Sequence, residues 1–250
     1  MRLHILLILS MTALVGCASF FKEDQEKATL HLRIGTSHLM NGNYPAALNE
    51  LLLAESIDDT NPLIQNNLAL AYFVRDRFDL AEVHVRKALK LDPAYTDARN
   101  NLSRILIERG RFQEAINEAK IVAKDLTYPE PSKPLLNLGI AYFKLGDFQS
   151  AQQELSKAID FQRENCQAQS LLGRTFYELK NYARAADQLD RAVSFCQKSQ
   201  FDEPHYYSAL SYFQTGDVRK AEARMEEVIK LYPGGKYQER ARAMLETMRR

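Results

Sequence analysis

One pattern, written six times at a spacing of 34 to 36 residues, constrains this chain more than any other feature. A small residue stands at Gly35, Ala69, Ser103, Gly139, Gly173 and Ala209, in steps of 34, 34, 36, 34 and 36. Twelve residues after each comes an alanine: Ala47, Ala81, Ala115, Ala151, Ala185 and Ala221. Three residues before each alanine is Tyr44, Phe78, Phe112, Phe148, Tyr182 or Val218, and seven after it is Ala54, Ala88, Val122, Ala158, Ala192 or Val228. Leu138–Ala151 shows what one copy is. Leu138, Ala141, Tyr142 and Leu145 fall at helical spacing. Gly146-Asp147 breaks the run, and Phe148 and Ala151 open another. Each copy is therefore two helices joined by a tight turn. Small residues at the crossing let the two backbones approach, and the aromatic fills the space beside them. No such pair buries its apolar face alone, so the pairs must stack on one another.

A unit of this length with these occupants resembles the tetratricopeptide repeat, over about residues 28–235. The resemblance implies an all-α chain, a tetratricopeptide-repeat superhelix of six helix–turn–helix repeats at 28–61, 62–95, 96–131, 132–165, 166–201 and 202–235. Residues 236–250, with Tyr237, Ala241, Met244, Leu245 and Met248 apolar, read as the C-terminal capping helix that a solenoid needs. Two joints, Tyr128–Pro134 and Gln197–Pro204, each add two residues. Their prolines stiffen the chain. They are expected to bend the stack and divide it roughly into halves without making separate domains.

The N-terminus reads as a secretory signal. Met1–His4 is short and positive, Ile5–Val15 is mostly apolar and too short to span a bilayer, and small residues follow. Leu14-Val15-Gly16-Cys17 resembles the bacterial lipobox. That resemblance implies removal of residues 1–16, a diacylglycerol on Cys17, an acylated amino group and a lipidated tether over 17–27. Two or more acyl chains anchor stably in a bilayer. Ala18, rather than Asp, follows the cysteine, which in the sorting logic resembled here implies the outer membrane and its periplasmic face.

The remaining residues offer no chemistry. A net charge of +1 gives no electrostatic footprint for nucleic acid. There is no HExxH, GxSxG, P-loop or CxxC, and the carboxylates scatter over helix exteriors. We expect neither enzyme activity nor a cofactor, metal or small-molecule substrate. His31 and His38 share a helix face but fall at packing positions, where core histidines are the better reading. Cys166 opens the first helix of the fifth repeat and Cys196 ends its second, and those ends are neighbours in an antiparallel pair. They form either a disulfide, favoured in an oxidising compartment, or two buried free thiols.

Tetratricopeptide solenoids bind partners on a concave wall made by their first helices. By repeat register, that wall carries Asn66, Leu70, Phe73, Asn100, Arg104, Ile140, Phe143, Tyr177, Leu210 and Phe213. Its apolar members suggest an interaction patch, or else packing between repeats. The asparagines could bond a peptide backbone. Asn66 stands where a carboxylate-clamp wall wants lysine, so an apolar helical or extended segment suits it better.

A lipoprotein of six such repeats resembles the type IV pilus pilotin family. The local features are Asn66-Asn67-Leu68, Gly110-Arg-Phe-Gln-Glu-Ala115 and, above all, Tyr128-Pro-Glu-Pro131 before Asn137-Leu-Gly139. The resemblance implies a non-enzymatic escort that binds outer-membrane secretin subunits and promotes their assembly. The competing expectation is a general envelope scaffold that recruits cell-wall hydrolases or outer-membrane assembly factors.

Overall fold

A computed structural model describes residues 23–197 and 201–249 of the 250. Cys17, the signal segment and most of the expected tether lie outside the described residues. Those described form thirteen α-helices and no strand. They are α1 (23–40), α2 (Tyr44–Ile57), α3 (Pro62–Phe73), α4 (Phe78–Leu91), α5 (Thr96–Glu108), α6 (Phe112–Ala123) and α7 (Ser132–Leu145), followed by α8 (Phe148–Phe161), α9 (Cys166–Glu178), α10 (Tyr182–Phe195), α11 (Glu203–Gln214), α12 (Val218–Leu231) and α13 (Gln238–Met248). Among the described residues no helix is long and apolar enough to cross a membrane. The helix pairs follow the repeat register, and the all-helical repeat architecture expected from the period is what the chain adopts.

The six turns share one backbone device. Gly42, Asp76, Gly110, Gly146, Lys180 and Gly216 all take a left-handed φ, between 58° and 84°. Glycine does this freely, whereas Asp76 and Lys180 carry a Cβ into a region that disfavours it. At three of the turns the next residue serves two helices. The Asp147 N–H reaches back to the Tyr142 carbonyl at 3.0 Å, closing α7, while its carboxylate accepts the Ser150 N–H at 3.1 Å, opening α8. Asn43 and Asp217 do the same between their own helices. Such a bond satisfies a carbonyl orphaned at one helix end and an N–H orphaned at the next.

The chain divides into two compact units, Met1–Arg109 and Gly110–Arg250. In the first unit, Leu51, Ala54, Ile64, Leu68 and Ala71 form a fully buried cluster between α2 and α3. In the second, Ala151, Leu155, Ala158, Ala185, Leu189, Ala192, Ala221, Met225 and Val228 are fully buried. The division does not fall at the proline joint, as the spacing had suggested. Tyr128 is only 7% exposed, Pro134 is buried, and the Ser132 hydroxyl bonds Gln162 Oε1 at 3.1 Å. The joint therefore lies packed inside the second unit, tying α7 to the end of α8.

The repeat crossing is closer than an extra methyl group allows. A Cβ added at Gly139 would lie 2.5 Å from Leu155 Cγ and Cδ2. One at Gly173 would lie 2.5 Å from Leu189 Cγ, and one at Gly35 2.7 Å from Leu51 Cγ. In each case the leucine stands sixteen residues after the glycine. Where the small residue is Ala69 or Ala209, that later place holds Val85 or Met225. Leucine is used there only opposite glycine.

At the C-terminal end, α13 buries Ala241 and Leu245. Asp202, 6% exposed, accepts the Tyr237 N–H on Oδ2 at 2.8 Å and so ties the entry of α13 to the start of α11. We expect Asp202→Ala to cost about 1–3 kcal/mol, the penalty of orphaning a buried donor. Amide exchange should speed up across α13 and leave the first unit unchanged. Uniform exchange in the variant would show that this bond does not hold the last helix.

Candidate first-helix binding face

The expected site residues lie on α3 and α5 in the first unit and on α7, α9 and α11 in the second. The structure separates them by what they already hold. Asn66 is 4% exposed, and its carboxamide oxygen accepts from Asn101 Nδ2 at 2.9 Å. Its own amide points to Asn67 Oδ1, and Asn67 donates to Thr36 Oγ1 at 2.8 Å. This chain of amides joins α1, α3 and α5. Asn100 is equally buried, and the Ser103 hydroxyl donates to its carbonyl at 2.7 Å. The amide that the register offered for a peptide backbone at Asn66 is thus spent between helices.

The aromatics are seated rather than loose. Phe73 meets Phe78 at 5.4 Å between centroids, Phe143 meets Phe148 at 5.3 Å, and Tyr177 meets Tyr182 at 5.4 Å. In each case the ring near the end of a first helix rests on the ring that opens the second. Phe73 is 9% exposed, whereas Phe143, Tyr177, Phe213, Leu70, Ile140 and Leu210 are half-buried. These half-buried residues leave apolar surface on the first-helix faces of both units.

Two arginines occupy the same place in their repeats. In the first unit, the Arg104 guanidinium lies over the Phe73 ring, 4.1 Å from its centroid. In the second, that of Arg174 lies between Phe143 and Tyr207, 4.8 Å from each. Tyr207 also meets Tyr177 at 5.5 Å and Tyr237 at 5.8 Å, and Tyr206 stacks on Tyr237 at 4.6 Å. A cation over an aromatic face is attracted by the ring quadrupole. The electrostatic settings differ. Burial alone would lower the Arg174 pKa, but the Glu203 carboxylate, 2.9 Å from Nη1, overrides it and the pKa rises. Arg104 is exposed, yet the ring beneath it and its packed neighbours remove enough water to hold its pKa below the arginine norm.

The other chemistry-bearing side chains are occupied locally. Cys166 and Cys196 are joined in a disulfide, with a Cα–Cα distance of 5.1 Å, across the open end of the α9/α10 pair. His31 Nδ1 lies 2.7 Å from Glu50 Oε2, and His38 is half-buried. His84 stacks on Tyr72 and holds Gln65. His205 is buried beside Glu227. Among the described residues no group of three or more His, Cys, Asp or Glu is gathered as a metal site would require.

Repeated helix pairs with a glycine-tight crossing, an invariant buried alanine and one left-handed turn per pair define a class of interaction protein. Family models of the tetratricopeptide repeat match residues 72–127, 136–202 and 205–235, and the chain belongs to that family. Among proteins of assigned role, it is similar to the type IV pilus assembly protein PilF of Pseudomonas aeruginosa. The two are 25% identical over 193 residues, which is 74% of this chain and 77% of PilF. The solved structure of Pseudomonas aeruginosa PilF superposes with a TM-score of 0.73 at 24% identity, covering 87% of this chain and 97% of PilF. The crystal structure of PilW, a widely conserved type IV pilus biogenesis factor, gives a TM-score of 0.77 at 20% identity, covering 89% and 98%. At these identities the structural likeness carries the fold.

Register exposed most of this face but not how it is assembled. Glu203, Tyr207 and Tyr237, which complete the Arg174 seat, were not among the candidates. Each reaches Arg174 or its ring partners from the sixth repeat or the capping segment, and a fixed period gives no sign of such contacts.

Proposed function

We propose that this chain is a non-catalytic, outer-membrane lipoprotein that binds secretin subunits and promotes their localisation and assembly for type IV pilus biogenesis. The observation that carries this reading is the similarity to PilF, which spans three quarters of each chain and not a single repeat. Two features support it. The Leu14–Cys17 sequence supplies a lipid attachment point ahead of the first repeat. The half-buried apolar residues of the first-helix faces, Ile140, Phe143, Leu210 and Phe213 in the second unit and Leu70 in the first, supply surface for a partner segment. An acyl anchor and a partner face on one chain are what an escort to a membrane needs.

The test is genetic. Deleting the gene is expected to abolish detergent-resistant secretin multimers while porins stay at normal levels. Cys17→Ala should fold normally, move to the soluble periplasmic fraction and sharply reduce multimer yield. Intact multimers in the deletion strain would overturn the proposal. Altered porins or cell-wall cleavage with normal secretin would favour the envelope scaffold instead.

A further inference from the structure

We propose that the Arg104 guanidinium is a binding point for a carboxylate carried by the partner segment. This deepens the reading of the first-helix face as a partner surface and rests on it.

One arrangement occurs twice, with an arginine over a phenylalanine in each unit. Arg104 and Arg174 are the ninth residues of the third and fifth repeats, and each lies over the phenylalanine near the end of the preceding first helix, Phe73 or Phe143. Two things differ: Arg174 has a second ring, Tyr207, and it has an anion. Arg174 has an internal one: Nη1 donates to Glu203 Oε1 at 2.9 Å, and Glu178 approaches Nε to 3.8 Å. Arg104 has none. Among the described residues no carboxylate, carbonyl or hydroxyl takes its N–H groups, and Glu108, one turn along, acts on its charge without pairing with it. The register repeats the contrast. Glu203 is the second residue of the sixth repeat, and the second residue of the fourth is Lys133, which pairs with Glu130.

The second unit therefore shows what completes this seat, and the first unit lacks it. A guanidinium fork matches a carboxylate in two parallel hydrogen bonds, and a fork already placed on an aromatic ring loses little freedom in making them. An unpaired cation that has given up part of its hydration gains most from such a partner. One turn before Phe73 on α3 Leu70 is half-buried, and Val74 just after it is 37% exposed, so the fitting segment places an apolar side chain near its acid. The carboxylate comes from an Asp or Glu side chain or from a chain terminus.

The experiment uses the full chain in detergent and four fluorescent peptides of sequence Leu-Phe-Xaa-Leu-Phe. Xaa is Glu or Gln, and each peptide ends in a carboxylate or a carboxamide. We expect at least one singly acidic peptide to bind about tenfold more tightly than the doubly neutral one, the strength of one charge-assisted hydrogen-bonded contact. Whether the side-chain or the terminal acid gives the gain identifies the source. Arg104→Gln, checked for an unchanged melting temperature, should remove the preference for the acidic peptides over the neutral one. Equal affinities for all four peptides, no binding at all, or a preference that survives Arg104→Gln would each overturn the proposal. Equal affinities that fall together in Phe73→Ala would remove the carboxylate and leave the partner face standing.

Discussion

Leu155→Ala is expected to lower the unfolding free energy of the second unit by about 2–5 kcal/mol, and Gly139→Ala by about 1–3 kcal/mol. The two effects should not add. Leu155 is fully buried, and its branch point occupies the space a Gly139 side chain would need, 2.5 Å from the added Cβ. Removing the leucine leaves a cavity, and adding the methyl group forces an overlap. Doing both puts the methyl group into the vacated space, so the double variant should fall short of the sum by at least ~1 kcal/mol. Urea unfolding, with amide exchange resolved over α7 and α8, measures all three. Strict additivity would show that the crossing distance is set elsewhere. The chain already contains the corresponding trade: Gly35, Gly139 and Gly173 are followed at sixteen residues by leucine, Ala69 by valine and Ala209 by methionine.

Reduction of the Cys166–Cys196 disulfide should have the next largest effect. The bond spans 30 residues and closes the free ends of α9 and α10. In the chain-entropy account, closing a loop of this length stabilises the fold by about 3–4 kcal/mol. Cys166→Ser with Cys196→Ser is expected to lower the melting temperature of the second unit and to make it insensitive to reductant. Wild type should move to the same value when reduced. The loss should concentrate in α9, which carries Arg174 and Tyr177, and leave the first unit unchanged. Identical melting of wild type and double variant, with and without reductant, would remove the bond from the stability of this pair.

The fold was legible because a solenoid repeats its core. The invariant alanines from Ala47 to Ala221 are all fully buried, and the period alone located both helices of each repeat. The register also placed Phe73, Phe143 and Arg104 on first helices, where the structure has them. What it could not give was contact between repeats. Arg104 over Phe73 and Arg174 against Glu203 depend on side-chain reach, and neither leaves a mark at a fixed spacing. Asn66 was misleading for a related reason: its register position reads as facing a partner, but its neighbours Asn67 and Asn101 are themselves amides and take up its hydrogen bonds. The sixteen-residue pairing of glycine with leucine was readable in principle.

The residue after three of the left-handed turns has a consequence for how those helix pairs come apart. At Asn43, Asp147 and Asp217, one backbone N–H ends a helix and the side chain of the same residue begins the next. Neither helix can fray at that end without withdrawing the other's cap. At these three turns, in the first, fourth and sixth repeats, the two helices of a pair are therefore expected to open together.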